Sequence, residues 1–388
     1  MAKTRSPRAK LTLTLAILTA TGMVIATSLV GSPAVAQAAT PQCGGPVTPV
    51  TGEQASASVG AGTPAQRDLT WDLTGATWHS PRPSGTPDSQ RYPFRLDNAS
   101  RVCVLGGSVI GNIPREFSRD EFYRTNTENV EWDNEAFRFN HPNDPASWIV
   151  QRDAYVENVS DAFDPNAVNA LSTTYLDHVH AKDIRDDCIE NEGSGFVPHT
   201  LVITNSLFEG CHAGISARPT GESQVRTGSG PSSLTMTDSL LWVKPNELGE
   251  KYCAEGSGPC ATIDGVPYMG NHTIWKFSAS GPSTITVRNT VFRVDMPTNW
   301  SLSNNAWPAG TYENVTLVWT GQAKYGDYPW GPSGQPAGVT VTNDVAVWDN
   351  AVAAWKASSP PPVTTTTTAS PAETTTTTTT KTRGPKPR

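Results

Sequence analysis

The chain has 388 residues, of which only 17% are charged, with 32 Gly, 32 Pro and 12 Trp. So few charges among so many turn formers and aromatics exclude a coiled coil or a helical bundle. With 36 acidic against 29 basic residues and no dense basic stripe, the chain is not a nucleic-acid binder.

Residues 1–39 carry Lys3, Arg5, Arg8 and Lys10 and no acid. Residues 11–30 are apolar and uncharged, and Ala36-Gln37-Ala38 follows as a small-residue cleavage site. This layout predicts a secretory signal peptide over 1–39 and a secreted, extracellular protein. The alternative is an uncleaved anchor, since about twenty apolar residues span a bilayer. No other segment is long and apolar enough to cross one. The body, 40–357, holds 21 Lys and Arg against 35 Asp and Glu, a net charge of −14, which repels polyanions.

Export makes the six cysteines legible as three disulfides. Six cysteines allow 15 pairings. Proximity favours Cys188–Cys211 and Cys253–Cys260, which leaves Cys43–Cys103. No Cys-x-x-Cys pair supports a zinc site.

The body repeats a short alternating strand followed by a polar residue and a second apolar stretch. The polar position is read at Asn158, His178, Asn205, Asp238, Asn289, Asn314 and Asn343. Such strands are too short and one-sided to fold alone, but stacked coils bury a continuous apolar column. The pattern predicts an all-β fold, a single parallel β-helix of about nine coils. A polar residue at a fixed turn position can ladder between coils. A β-sandwich is the competitor, but its strands share no turn register. Residues 217–233 and 244–283 read as overhanging loops, and 349–356 as a short helix. After 357 the chain turns to prolines at 360–362 and threonines at 364–368 and 374–380, so 358–388 reads as an extended, disordered tail.

Ionisable groups concentrate on three consecutive coils. These carry Ser160-Asp161-Ala162-Phe163-Asp164, then Arg185-Asp186-Asp187-Cys188-Ile189-Glu190, then Gly210-Cys211-His212-Ala213-Gly214-Ile215-Ser216. Asp161, Asp187 and His212 are each about one coil apart, and adjacent coils lie ~4.8 Å apart. Two carboxylates on neighbouring rungs supply the parts of glycoside hydrolysis, one protonating the leaving oxygen and one activating water. Crowding keeps one of them protonated. Asp183 reads as a turn residue, and His178 and His180 as turn-ladder or surface residues.

This stretch resembles the polygalacturonase family of glycoside hydrolases, within the pectin lyase-like superfamily. Ser160-Asp161 stands at that family's Asn-Thr-Asp motif, Asp186-Asp187-Cys188 at its Asp-Asp pair, Cys211-His212-Ala213-Gly214 at its Gly-His-Gly, and Trp242-Val243-Lys244 at its Arg-Ile-Lys. The resemblance implies right-handed coiling, a disulfide of the Cys188–Cys211 kind, Asp187 as general acid, Asp161 and Asp186 holding the attacking water, and an inverted product. It also implies that position 242 and Lys244 bind the substrate's carboxylate, although the family's Arg is here Trp242. Arg218, Trp242 and Glu190 join Lys244 as candidate substrate contacts, and Trp242 and Trp275 as candidate sugar-stacking rings.

Two other functions remain open at this point. Asp161, Asp164, Asp186, Asp187 and Glu190 supply oxygens enough for calcium, and with Lys182, Arg185 or Arg218 as base this would suit a polysaccharide lyase. A non-catalytic glycan-binding module at the cell surface is the third reading. The hydrolase reading needs no cofactor, and its partner is a polysaccharide bound by a monomer. The cleavage site itself is checked by intact mass of the secreted protein, expected to begin near Ala39 or Thr40. Retention of Met1 or Lys3 would show an anchor instead.

Overall fold

The computed structural model describes residues 39–54, 66–80, 93–111, 135–141, 146–165, 172–191, 199–217, 231–244, 260–263, 266–269, 273–277, 284–295, 307–320 and 334–358. They form an all-β parallel solenoid. One sheet of fifteen strands makes two of its faces, and a sheet of six strands makes the third. Every pairing in both sheets is parallel, and a small antiparallel hairpin, Cys260–Ile263 with Val266–Met269, stands apart.

The first face stacks Trp148–Arg152, Thr173–Asp177, His199–Thr204 and Pro231–Thr237 in order. The second stacks Tyr155–Glu157, His180–Lys182, Leu207–Cys211 and Leu240–Val243. The longer strands Gln66–Ser80, Ala99–Gly111, Thr284–Val294 and Thr311–Trp319 run through both faces. The third face stacks Phe94–Leu96, Glu135–Phe139, Asp161–Asp164, Asp187–Ile189, Ala213–Ala217 and Thr273–Phe277. Between the faces lies the core, whose largest fully buried side chains include Trp78, Phe94, Phe137, Phe163, Phe208 and Phe292.

The corners explain why the chain coils. Between first and second faces, Asp153, His178, Asn205, Asp238, Asn289 and Asn314 all take positive φ, from 46° to 60°. Asn and Asp tolerate this left-handed backbone better than other side-chain-bearing residues. The ladder expected there is present. Asn289 Nδ2 donates to Asp238 Oδ1 at 2.9 Å, and Asn314 Nδ2 to Asn289 Oδ1 at 3.0 Å. His178 Nδ1 bonds Asp153 Oδ1. Just inside the corner, the Ser206, Ser239 and Thr290 hydroxyls donate to the carbonyls of Thr204, Thr237 and Arg288. Ser206 and Ser239 also accept the amides of Val179 and Ser206.

Two positions of the expected repeat belong elsewhere. Asn158 sits at the corner between second and third faces, in register with Asp183 and Gly210, all at positive φ. Asn343 follows the second-face strand Val339–Thr342, and Gly338 takes the equivalent of Asn314. Both corners need left-handed backbone and draw on Asn, Asp and Gly, so a single polar register merged the two.

The disulfides Cys43–Cys103 and Cys188–Cys211 are both present; of the expected Cys253–Cys260 pair, Cys253 lies outside the described residues. Cys188–Cys211 staples a third-face strand to the second-face strand of the next coil. Two disulfides suit an extracellular protein. No helix among the described residues is long and apolar enough to cross a membrane.

The short helix expected near 349–356 is longer, Val345–Ser358. It lies on the second face, where Trp348 and Trp355 pack with Leu207, Leu240 and Val318. Trp355 Nε1 donates to the Asn205 carbonyl at 2.9 Å, and its ring meets His178 and His180. Lys356 and His180 both bond Glu209. Burial opposes ionisation of Glu209, but these two partners outweigh it and hold its carboxyl below the ordinary range. Trp355→Ala should therefore cost about 3 kcal/mol in denaturant unfolding, whereas removing 359–388 should leave stability unchanged. Equal effects of the two changes would show that the helix is not what the second face relies on.

Candidate active site

The third face owes its register to an apolar column. Phe137 and Phe163 stack at 5.7 Å, and Ile189, Ile215 and Trp275 continue the column rung by rung, all buried. The residue after each is Arg138, Asp164, Glu190, Ser216 and Lys276. The residue two before each is Glu135, Asp161, Asp187, Ala213 and Thr273. Two parallel columns result, and in the first three rungs every member is ionisable.

Asp161, Asp164 and Asp187 are buried, with exposures of 3%, 3% and 1%. Asp161 Oδ2 accepts the Ser160 hydroxyl at 2.6 Å, and its Oδ1 accepts the Asp187 amide at 2.8 Å. Lys276 Nζ lies 2.7 Å from Asp187 Oδ2 and 3.6 Å from Asp186 Oδ1. Arg138 Nη1 bridges Glu135 at 3.0 Å and Asp164 at 3.3 Å. Glu190 differs. Its carboxyl is almost fully enclosed, though the residue keeps a partial opening to solvent, and no group among the described residues hydrogen-bonds it. Burial first, then the charges of Asp161, Glu135, Asp187 and Asp164, push this carboxyl well above the ordinary glutamate range.

The structure brings Asp161, Asp164, Asp186, Asp187 and Glu190 onto two neighbouring rungs. His212 is buried one residue before Ala213, the register partner of Asp187. Other expected contacts are placed elsewhere. Lys244 Nζ pairs with Asp183 at the second corner and covers Gly210. Trp242 lies on the second face beside Trp348, with the Arg293 guanidinium 4.2 Å from its ring centroid and its Nε1 bonded to Asp295. Trp275 is a core residue packed on Phe292 and Trp307. Arg218 lies outside the described residues. Trp275 is buried, whereas Trp242 is half-buried between Trp348 and Arg293.

Sequence reasoning missed Glu135, Arg138 and Lys276. Lys276 stands 89 residues from Asp187, beyond a long excursion that hides its rung, and no motif marks it. Protein cations compete with calcium for several of these carboxylates. Asp164, Asp186 and Asp187 each face a protein cation, and among the described residues no three His, Cys, Asp or Glu are arranged to hold a metal. Comparison with known families, with characterised proteins and with solved structures finds no match.

The Glu190 environment has a measurable sign. The folded protein holds this proton more tightly than the unfolded chain. Its contribution to stability is full below the ordinary glutamate range and is lost as pH rises through the raised value. Glu190→Gln, which cannot ionise, should differ little from the parent near about pH 4 and melt higher near about pH 8. A difference between the two that stays constant with pH would show that Glu190 titrates normally.

Proposed function

We propose that the third face is the active site of a secreted glycoside hydrolase acting on a polysaccharide. The observation that carries the reading is Glu190, a carboxyl whose ionisation is opposed by burial and by the charges of Asp161, Glu135, Asp187 and Asp164, standing among carboxylates bound by cations or hydrogen-bond donors. Glycoside hydrolysis needs such a division between one acid and one base. Within this reading Glu190 protonates the leaving oxygen, while Asp161 and Asp187 hold and activate water. The assignment departs from the one that the polygalacturonase resemblance implies, in which Asp187 is the acid. An ammonium at 2.7 Å favours the carboxylate over the acid, so Asp187 suits the base better. The same reading takes the solenoid as right-handed with about nine coils, in the manner of pectin lyase-like proteins.

A reducing-sugar assay over a panel of plant and microbial polysaccharides, with and without EDTA, tests it. The expected result is chelator-insensitive release, falling by about 10²–10⁴ in Glu190→Gln while the melting curve stays cooperative. Unsaturated, EDTA-sensitive products would point to a lyase. Binding without release would point to a non-catalytic glycan module.

A further inference from the structure

Lys276 stands apart from the other groups of the third face by the course of its side chain. In register it belongs to the Glu190 column, two rungs on, with Ser216 between. The side chain leaves that column and crosses the rung of Ala213 and Ser216. Its Nζ ends 2.7 Å from Asp187 Oδ2 and 3.6 Å from Asp186 Oδ1. Asp187 is buried and the lysine largely so, so water screens this pair less than one at the surface. An ammonium at this distance favours the ionised carboxylate and also fixes where its oxygens point. Stability alone does not call for such a pair, because apolar residues of equal volume serve a core as well or better.

We propose that Lys276 is a positioning residue, which holds the Asp187 carboxylate oriented and ionised for its part in activating water and does not bind the substrate. The role rests on the reading of Asp187 as the base. The polygalacturonase resemblance gives a lysine of the site to the substrate's carboxylate instead. Here the lysine at that motif position, Lys244, is held by Asp183 at the second corner, and Lys276 would have to leave Asp187 to meet a sugar. Breaking a buried pair costs several times what an exposed pair gains. A residue that acts through another changes that residue's titration and the rate, and leaves the affinity for substrate nearly alone.

Two measurements on the full chain test the proposal, one of them independent of activity. The first follows the Asp187 carboxyl by NMR in protein labelled at the aspartate carboxyl carbons, the signal being assigned by its loss in Asp187→Asn. Lys276→Met should move this titration upward by about one pH unit or more, and Lys276→Arg should leave it near the parent. The second is the pH profile of glycan hydrolysis. The base must be ionised, so activity falls as pH drops through its titration, and in Lys276→Met that acid limb should move up by the same amount. The rate at the optimum should fall by about 10² with KM near the parent, and Lys276→Arg should recover most of it. Should Lys276→Met fail to fold, the unaltered protein still decides: its Lys276 ammonium signal should shift at the pH where Asp187 titrates, and a signal that ignores that titration would overturn the proposal. An unmoved Asp187 titration in Lys276→Met would overturn it too, as would a raised KM with an unmoved limb, which would make Lys276 a substrate contact. The two readings fail separately. A parent that cleaves no glycan removes the hydrolase and with it the base, while the carboxyl titration still reports whether Lys276 governs Asp187. Cleavage with an unmoved titration keeps the hydrolase and removes this role.

Discussion

The fold depends on one constraint, repeated at each coil: the backbone must turn through left-handed geometry at the same height in the stack. Asp153, His178, Asn205, Asp238, Asn289 and Asn314 meet it at one corner, and Asn158, Asp183 and Gly210 at the next. Side chains carrying both donor and acceptor let some of these corners bond to the coil above or below. Parallel pairing then follows in fixed register, and a slip of one residue would turn every core side chain outward. Where the corner lacks a small polar residue, something else supports it. His178 is a bulky residue at φ 55°, and it is held by Asp153 on one side and the Trp355 ring on the other.

That register also brings the charges of the third face together. Glu135, Asp161 and Asp187 are 26 residues apart in the chain yet successive rungs in space. The Phe137–Phe163 stack and the buried aliphatics above it leave no freedom for these strands to slide. Burying this many ionisable groups does not stabilise a solenoid. Well-packed apolar residues of the same volume are often as good or better. Charges that a fold does not need for stability are candidates for function, and here they gather on one face while the terminal helix covers another.

How much was legible in the sequence differs by distance along the chain. The solenoid could be read because its signal is local, a short strand followed by a corner residue. Cys188–Cys211 and the Asp161–Asp187 neighbourhood could be read because they span single coils. The two corners were merged because both ask for the same residue types. Lys276 and Arg138 could not be read, since the excursions before them break the spacing that would assign a rung. Trp242 and Lys244 were misplaced for a related reason. Their motif position puts them after the third coil, but the chain there is still on the second face and its corner, so they serve the terminal helix and Asp183.

Asp187 and Glu190, three residues apart, stand in contrasting electrostatic surroundings. They share one strand, one stretch of buried surface and nearly the same neighbours. Lys276 aligns with Ser216, and Ser216 with Glu190, so the lysine lies in the Glu190 column two rungs away. Its ammonium nevertheless reaches diagonally to Asp187 and Asp186. Glu190 is left with Asp164 on the rung below, a hydroxyl-bearing Ser216 above, and like charges in the other column. The contrast comes first from the burial of Glu190 and the like charges around it, and then from the path of the lysine, which meets Asp187 instead.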